Sequence, residues 1–196
     1  MSIDDIILKI DGRTLIDKSR LSILSELVKQ YSDLPIAEVG VYKGGSAYLI
    51  NSITKGLVFC IDTFEGMPET DKSIDWHNKG DFADTSYEDV SQFLSKFENC
   101  KVIKSNFNDA KHLLDGHTFG MVHLDVDIYS STMDCLNYFY DKMVVGGVIL
   151  LDDFKFETTH GCPKAVWEFL ADKPEICIDL GTGQGLIIKQ DICQKH

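Results

Sequence analysis

Only two arginines, Arg13 and Arg20, occur among the 196 residues, and 19 basic side chains face 31 acidic ones, for a net charge of −12. A surface of that sign repels phosphate backbones, so nucleic acid is not an expected partner. Long apolar runs are missing as well. Glycine or charge interrupts each stretch within a few residues, so no segment is expected to span a bilayer. There is no basic leader: Met1-Ser2-Ile3-Asp4-Asp5 is acidic where a signal or transit peptide would be basic, which points to the cytoplasm. Cysteines at zinc-site spacing are absent too. The six present (Cys60, Cys100, Cys135, Cys162, Cys177, Cys193) form no C-x-x-C pair. Without an export signal they read as reduced, packed thiols rather than a disulfide framework. No repeat, low-complexity tract or linker divides the chain, so residues 1–196 are expected to form one domain.

What is there alternates. Leu21, Ile23, Leu24, Leu27, Val28 and Tyr31 recur at helical spacing within an N-terminal helical segment, 1–34. Strands are expected at 36–41, 57–61, 101–104, 119–124, 148–151, 176–178 and 186–188. Between them lie helices ending near Thr54, at 87–97, 109–114, 132–143 and 163–170. Strand–helix alternation specifies an α/β fold: a doubly wound, mostly parallel, seven-stranded sheet with helices on both faces. Gly181 to Gly185 is expected to turn the last two strands as an antiparallel hairpin. The polar segment from Thr63 to Thr85 is too long for a plain connection and reads as a lid.

Ligands of such sheets bind beyond the C-terminal strand ends. Four features lie there. Glu38-x-Gly40-x-x-x-Gly44-Gly45-Ser46 leads from the first strand into a helix whose N-terminus offers free N–H groups. Tyr42 stands where the dinucleotide fingerprint needs its second glycine, and the lysine of a phosphate loop is missing. Asp62 ends the second strand 22 positions after Gly40, placed to accept hydrogen bonds from a ribose. The glycines and this acid together suggest an adenosine-type ligand. Asp125 and Asp127 follow the fourth strand, and Asp152 and Asp153 the fifth. If those strands are neighbours, Asp125, Asp152 and Asp153 converge, and three carboxylates without thiol or imidazole favour magnesium or manganese. Asp127 is then a fourth ligand or a nearby base. His160, in the loop after the fifth strand, could touch substrate or move a proton. His123 reads as a packed core residue, and Trp76-His77 as either a ligand cover or a helix cap.

The segments 38–46, Asp62-Thr63-Phe64-Glu65-Gly66-Met67-Pro68, 80–85, 123–132 and 146–154 occur in an order that resembles the macrocin O-methyltransferase family. These are metal-dependent methyltransferases that tailor deoxysugars on antibiotics. The resemblance implies a class I, Rossmann-like fold binding S-adenosylmethionine at Glu38, Gly40, Gly44 and Asp62, with the segment around Ser105 near the adenine. It implies magnesium on Asp125, Asp152 and Asp153, and Asp127 as general base. The implied acceptor is a small-molecule diol such as a sugar; a catechol would suit the same chelation. Two features depart from the family. Little chain precedes the first strand, so the sugar pocket is either open or completed by another subunit of a homo-oligomer. Phe154 stands where a tyrosine usually follows the paired acids. Rival readings are a nicotinamide-dependent oxidoreductase, which leaves the later acids unexplained, and a non-catalytic cofactor-binding subunit.

Overall fold

The computed structural model describes residues 2–191; Cys193 therefore lies outside the described residues. Seven strands, β1 (Ile36–Val39), β2 (Val58–Asp62), β3 (Cys100–Lys104), β4 (Phe119–Leu124), β5 (Met143–Leu151), β6 (Cys177–Asp179) and β7 (Gly185–Ile188), form one sheet. Their order is β3-β2-β1-β4-β5-β7-β6. The first five are parallel, while β7 runs antiparallel to β5 and β6. The expected doubly wound sheet and closing hairpin are thus present. β1 and β4 are buried along their whole length. Such strands are covered on both faces, so they are apolar on both sides except at Glu38 and His123, which meet each other.

The helices are α1 (Ile3–Lys9), α2 (Lys18–Gln30), α3 (Gly45–Ile53), α4 (Tyr87–Leu94), α5 (Phe107–Ala110), α6 (Tyr129–Phe139) and α7 (Gly161–Leu170). One face of the sheet packs Phe59, Phe119, Phe139 and Leu136 with α5, α6 and α7. The other packs Leu24, Val28, Tyr48, Ile50 and Leu150 beneath α1, α2, α3 and α4. No helix among the described residues is long and apolar enough to cross a membrane. The five described cysteines are free.

Several boundaries differ from the periodicity, each for a local reason. β1 stops at Val39 because Gly40 turns the chain at φ +87°. β5 begins five residues before Val148. Its glycine pair is absorbed by a register shift against β4, and the Gly146 N–H donates to the Lys189 carbonyl at 2.8 Å. α6 starts at Tyr129 rather than Thr132. The segment 63–85 contains no regular helix or strand, yet it is tied down at several points. Met67 N–H donates to Asp81 O (2.8 Å), Gly80 N–H to Met67 O (2.9 Å), and Asp84 takes bonds from Tyr42 and Lys43. Buried Asp75 accepts the Tyr129 N–H through Oδ1 at 2.8 Å. That bond supplies the cap that α6 lacks from its own N-cap residue, Ile128.

Candidate active site and cation site

The ends of β1, β2, β3, β4 and β5 open into a cavity of about 310 Å³. Gly40, Ser46, Asp62, Ser105, Asp125, Asp127, Asp152 and Asp153 all line it. Glu38, Gly44 and His160 do not. The segment 63–85 contributes Thr63, Met67, His77 and Phe82 to the wall, and the N-terminal segment contributes Arg13 to Ile16 and Arg20.

The turn after β1 is held by the protein itself before any ligand is considered. A Cβ on Gly40 would lie 1.7 Å from the carbonyl oxygen of Asp125, so a side chain there cannot coexist with the end of β4. Asp62 accepts the N–H groups of Val41 (2.7 Å) and Tyr42 (2.8 Å) through Oδ2 and that of Phe64 (2.7 Å) through Oδ1. Its carboxylate therefore fixes the loop while still facing the cavity. The free amides expected at the start of α3 are partly used: Gly45 N–H donates to the Arg13 carbonyl at 3.0 Å.

Beyond β4 the chain turns sharply, with Asp127 at φ +58°. The Asp127 N–H donates to Asp153 Oδ2 at 3.1 Å, joining the ends of β4 and β5. One oxygen from each of Asp125, Asp127 and Asp153 lies within 4.8 Å of the others. Burial pushes the carboxyl pKa of Asp125 and of Asp153 well above the usual range, and the neighbouring carboxylates push it further. Asp127 is raised to about 6 by burial, against the opposing pull of His77. Three carboxylates that repel one another, Asp153 buried and the other two half-buried, with no thiol or imidazole in the set, have the chemistry of a hard divalent cation site.

Asp152 is not in that trio. Its Oδ1 accepts from Gln184 Nε2 at 2.8 Å, and its Oδ2 pairs with Arg20 Nη1. His123 Nε2 stands 3.7 Å away. Burial works to raise the Asp152 carboxyl, but His123, Arg20 and Gln184 outweigh it and hold it below the usual range. His123 is fully buried, as expected of a core residue, and its Nδ1 meets Glu38 Oε1 at 3.0 Å. Burial alone would lower its pKa; the carboxylates of Asp152 and Glu38 raise it to about 9. Glu38 thus faces His123 rather than the cavity, and its Oε2 has no hydrogen-bond partner among the described residues.

The structure also changes which histidine is at hand. His160 is exposed at the start of α7, whereas His77 places Nε2 3.8 Å from Asp127 Oδ1 and Nδ1 3.4 Å from Asp81 Oδ2. Fifty positions separate His77 from Asp127, and no local pattern announces the meeting. Arg20 is the second residue that spacing could not find, because its partner lies 132 positions away. Phe154 is buried, edge-on to Trp167 at 5.5 Å between ring centroids and packed against Gly185 of β7.

A sequence profile of the macrocin O-methyltransferase family (TylF) matches residues 9–180. Among characterised proteins, a demethyldecarbamoylnovobiocin O-methyltransferase from Streptomyces niveus is 25% identical, over 82% of this chain and 69% of its own length. A mycinamicin III 3''-O-methyltransferase from Micromonospora griseorubida is 25% identical, over 81% of this chain and 70% of its own. Among solved structures, the O-methyltransferase NovP superposes with a TM-score of 0.78 at 22% identity, covering 91% of this chain and 83% of that one. The calicheamicin methyltransferase CalS11 gives 0.70 at 14% identity, over 97% and 95%. At these identities the structural likeness speaks for the fold.

Proposed function

The chain belongs to the macrocin O-methyltransferase family, and from that premise we propose that it transfers a methyl group from S-adenosylmethionine to a hydroxyl of a small-molecule diol, such as a sugar on a natural product, with a divalent cation. The observation that carries this reading is one cavity lined both by Asp62 and the β1 turn and by the Asp125, Asp127 and Asp153 carboxylates. A methyl donor and a cation-bound acceptor would then meet in one place.

Asp62 and Ser105 are assigned to the nucleoside of the donor, with Gly40 and Ser46 shaping the turn beside it. Asp125 and Asp153 are assigned to magnesium or manganese, with Asp152 as the third carboxylate named by the sequence. When bound, the cation supplies Lewis acidity and a chelating centre for neighbouring oxygens, and the donor supplies an electrophilic methyl group. Asp127 acts as general base. With a pKa of about 6 it is ionised at neutral pH and close enough to the working pH to accept a hydroxyl proton. His77 faces Asp127 across 3.8 Å and orients that carboxylate. The wall formed by 63–85 serves as the lid and keeps water from the reacting groups.

Calorimetry tests the reading directly. S-adenosylmethionine should bind, NAD should not, and a vicinal diol should bind only with magnesium present. NAD binding in place of the methyl donor would replace this reading with the oxidoreductase one. Donor binding without turnover on any diol would favour a non-catalytic subunit. Asp127→Asn should lower the rate more than it weakens magnesium; collapse of metal affinity would make Asp127 a ligand instead.

A further inference from the structure

Arg20 carries more connections to the cavity wall than the reaction above uses. Its side chain is only 12% exposed and lies among the cavity-lining residues. Nη1 pairs with Asp152 Oδ2, Nε with Asp17 Oδ2 at 2.9 Å, and Nη2 donates to the Leu15 carbonyl at 3.1 Å. Its guanidinium carbon stands 4.9 Å from the centre of the Phe156 ring. This one cation therefore joins α2, the N-terminal segment, the end of β5 and the loop after it.

Asp152 is the carboxylate at which that arrangement matters. Gln184 occupies Oδ1 and Arg20 occupies Oδ2, so both oxygens are engaged by donors. An oxygen facing a guanidinium is turned from an incoming metal, and two cations sharing one carboxylate repel each other. The remaining partners of Arg20 (Asp17, the Leu15 carbonyl and the Phe156 face) do not depend on Asp152. They would retain the guanidinium beside the cavity after Asp152 lets go.

We infer that Arg20 is a built-in counter-cation that competes with the divalent ion for Asp152, and so sets the metal affinity of the site. The inference rests on the proposed cation site and deepens it: the ion gains Asp152 only as Arg20 gives it up. Arg20 is in this sense a positioning residue, acting through Asp152 rather than on the acceptor.

The test is a manganese titration followed by the electron paramagnetic resonance signal of the free ion, which needs no acceptor and no turnover. Arg20→Gln should bind manganese about tenfold more tightly than the wild type, the scale on which one contacting charge shifts a carboxylate equilibrium. In an Asp152→Asn background the same substitution should change affinity by less than about twofold, since the contested carboxylate charge has gone. Arg20→Lys keeps the charge and the helix but loses the fork, and should give a smaller gain in the same direction. No gain in either Arg20 variant overturns the inference. An equal gain with and without Asp152 also overturns it, because the effect would then be long-range charge alone. A wild type that holds no manganese removes the parent cation reading instead, so the two failures are told apart.

Discussion

Replacing Gly40 by alanine puts the turn between β1 and the end of β4 to its hardest test. At φ +87° an L-residue is strained, by about 1–2 kcal/mol. The larger effect is contact. The new methyl would lie 1.7 Å from Asp125 O and 2.7 Å from its carbonyl carbon, where ordinary contact begins at 3.4 Å. The obstacle is backbone, so no rotamer relieves it: the end of β4 must retreat by about 1.7 Å, the difference of those two distances. That movement breaks the Asp125 N–H bond to Val39 O, now 3.0 Å. Conformational strain, overpacking and a lost hydrogen bond together come to about 3–6 kcal/mol, a large share of the 5–15 typical of a domain. Gly116→Ala is the control, because its φ is +84° and nothing lies within 4 Å of the added carbon. It should cost only the conformational part, about 1–2 kcal/mol. Urea denaturation followed by circular dichroism measures both, and manganese affinity should fall in the Gly40 variant as Asp125 is displaced. Equal destabilisation of the two variants would refute the close-approach account of Gly40.

The acidic cluster makes stability depend on pH in a defined direction. Asp127 (about 6), Asp125 and Asp153 have raised pKa values, so the folded chelator-treated protein binds more protons than the unfolded one above pH 4. His123, raised to about 9, holds its proton longer in the folded state. Both effects make stability fall as pH rises, the carboxylates from about pH 4 through 6 and beyond, His123 from its unfolded value of 6.5 through 9. Denaturation midpoints that climb between pH 5 and 9 would contradict this, and magnesium should flatten the decline. Asp75→Ala removes the cap of α6 and should cost about 1–2 kcal/mol, whereas Asp75→Asn, which keeps an acceptor oxygen, should recover most of it; equal losses would separate the cap from the effect. His77→Ala removes the largest of the influences, ahead of Asp153 and Arg20, that oppose the upward shift of Asp127. The acidic limb of its pH–rate profile should move to higher pH, while His160→Ala should track the wild type. A limb that moves with His160 would return that residue to the site.

The strands were legible because their residues carry the signal themselves: Val58 to Ile61 or Val148 to Leu151 can do little but lie inside a covered sheet. The acids at the strand ends were legible because a doubly wound order brings the ends of β4 and β5 together. What spacing did not reveal were partners set by the third dimension. Asp152 turns to Arg20 and Gln184, Glu38 turns to His123, and His77 reaches Asp127 across a segment with no periodicity. The start of α6 departs from the periodicity for the same reason, since Ile128 offers no cap and the one that serves belongs to another segment. The sequence marks Gly40 only as part of a glycine turn that suits an adenosine-type ligand, whereas in the structure the position must also clear the carbonyl of Asp125.

The bond from Tyr129 to Asp75 spans 54 positions and gives α6 a mechanical stake in the stretch above the cavity. Should 63–85 open as the proposed lid, it would bare that amide, so the energy of the excursion is charged to the first turn of a regular helix. Hydrogen exchange at Tyr129 then becomes a gauge of that excursion, read from a residue that never has to move.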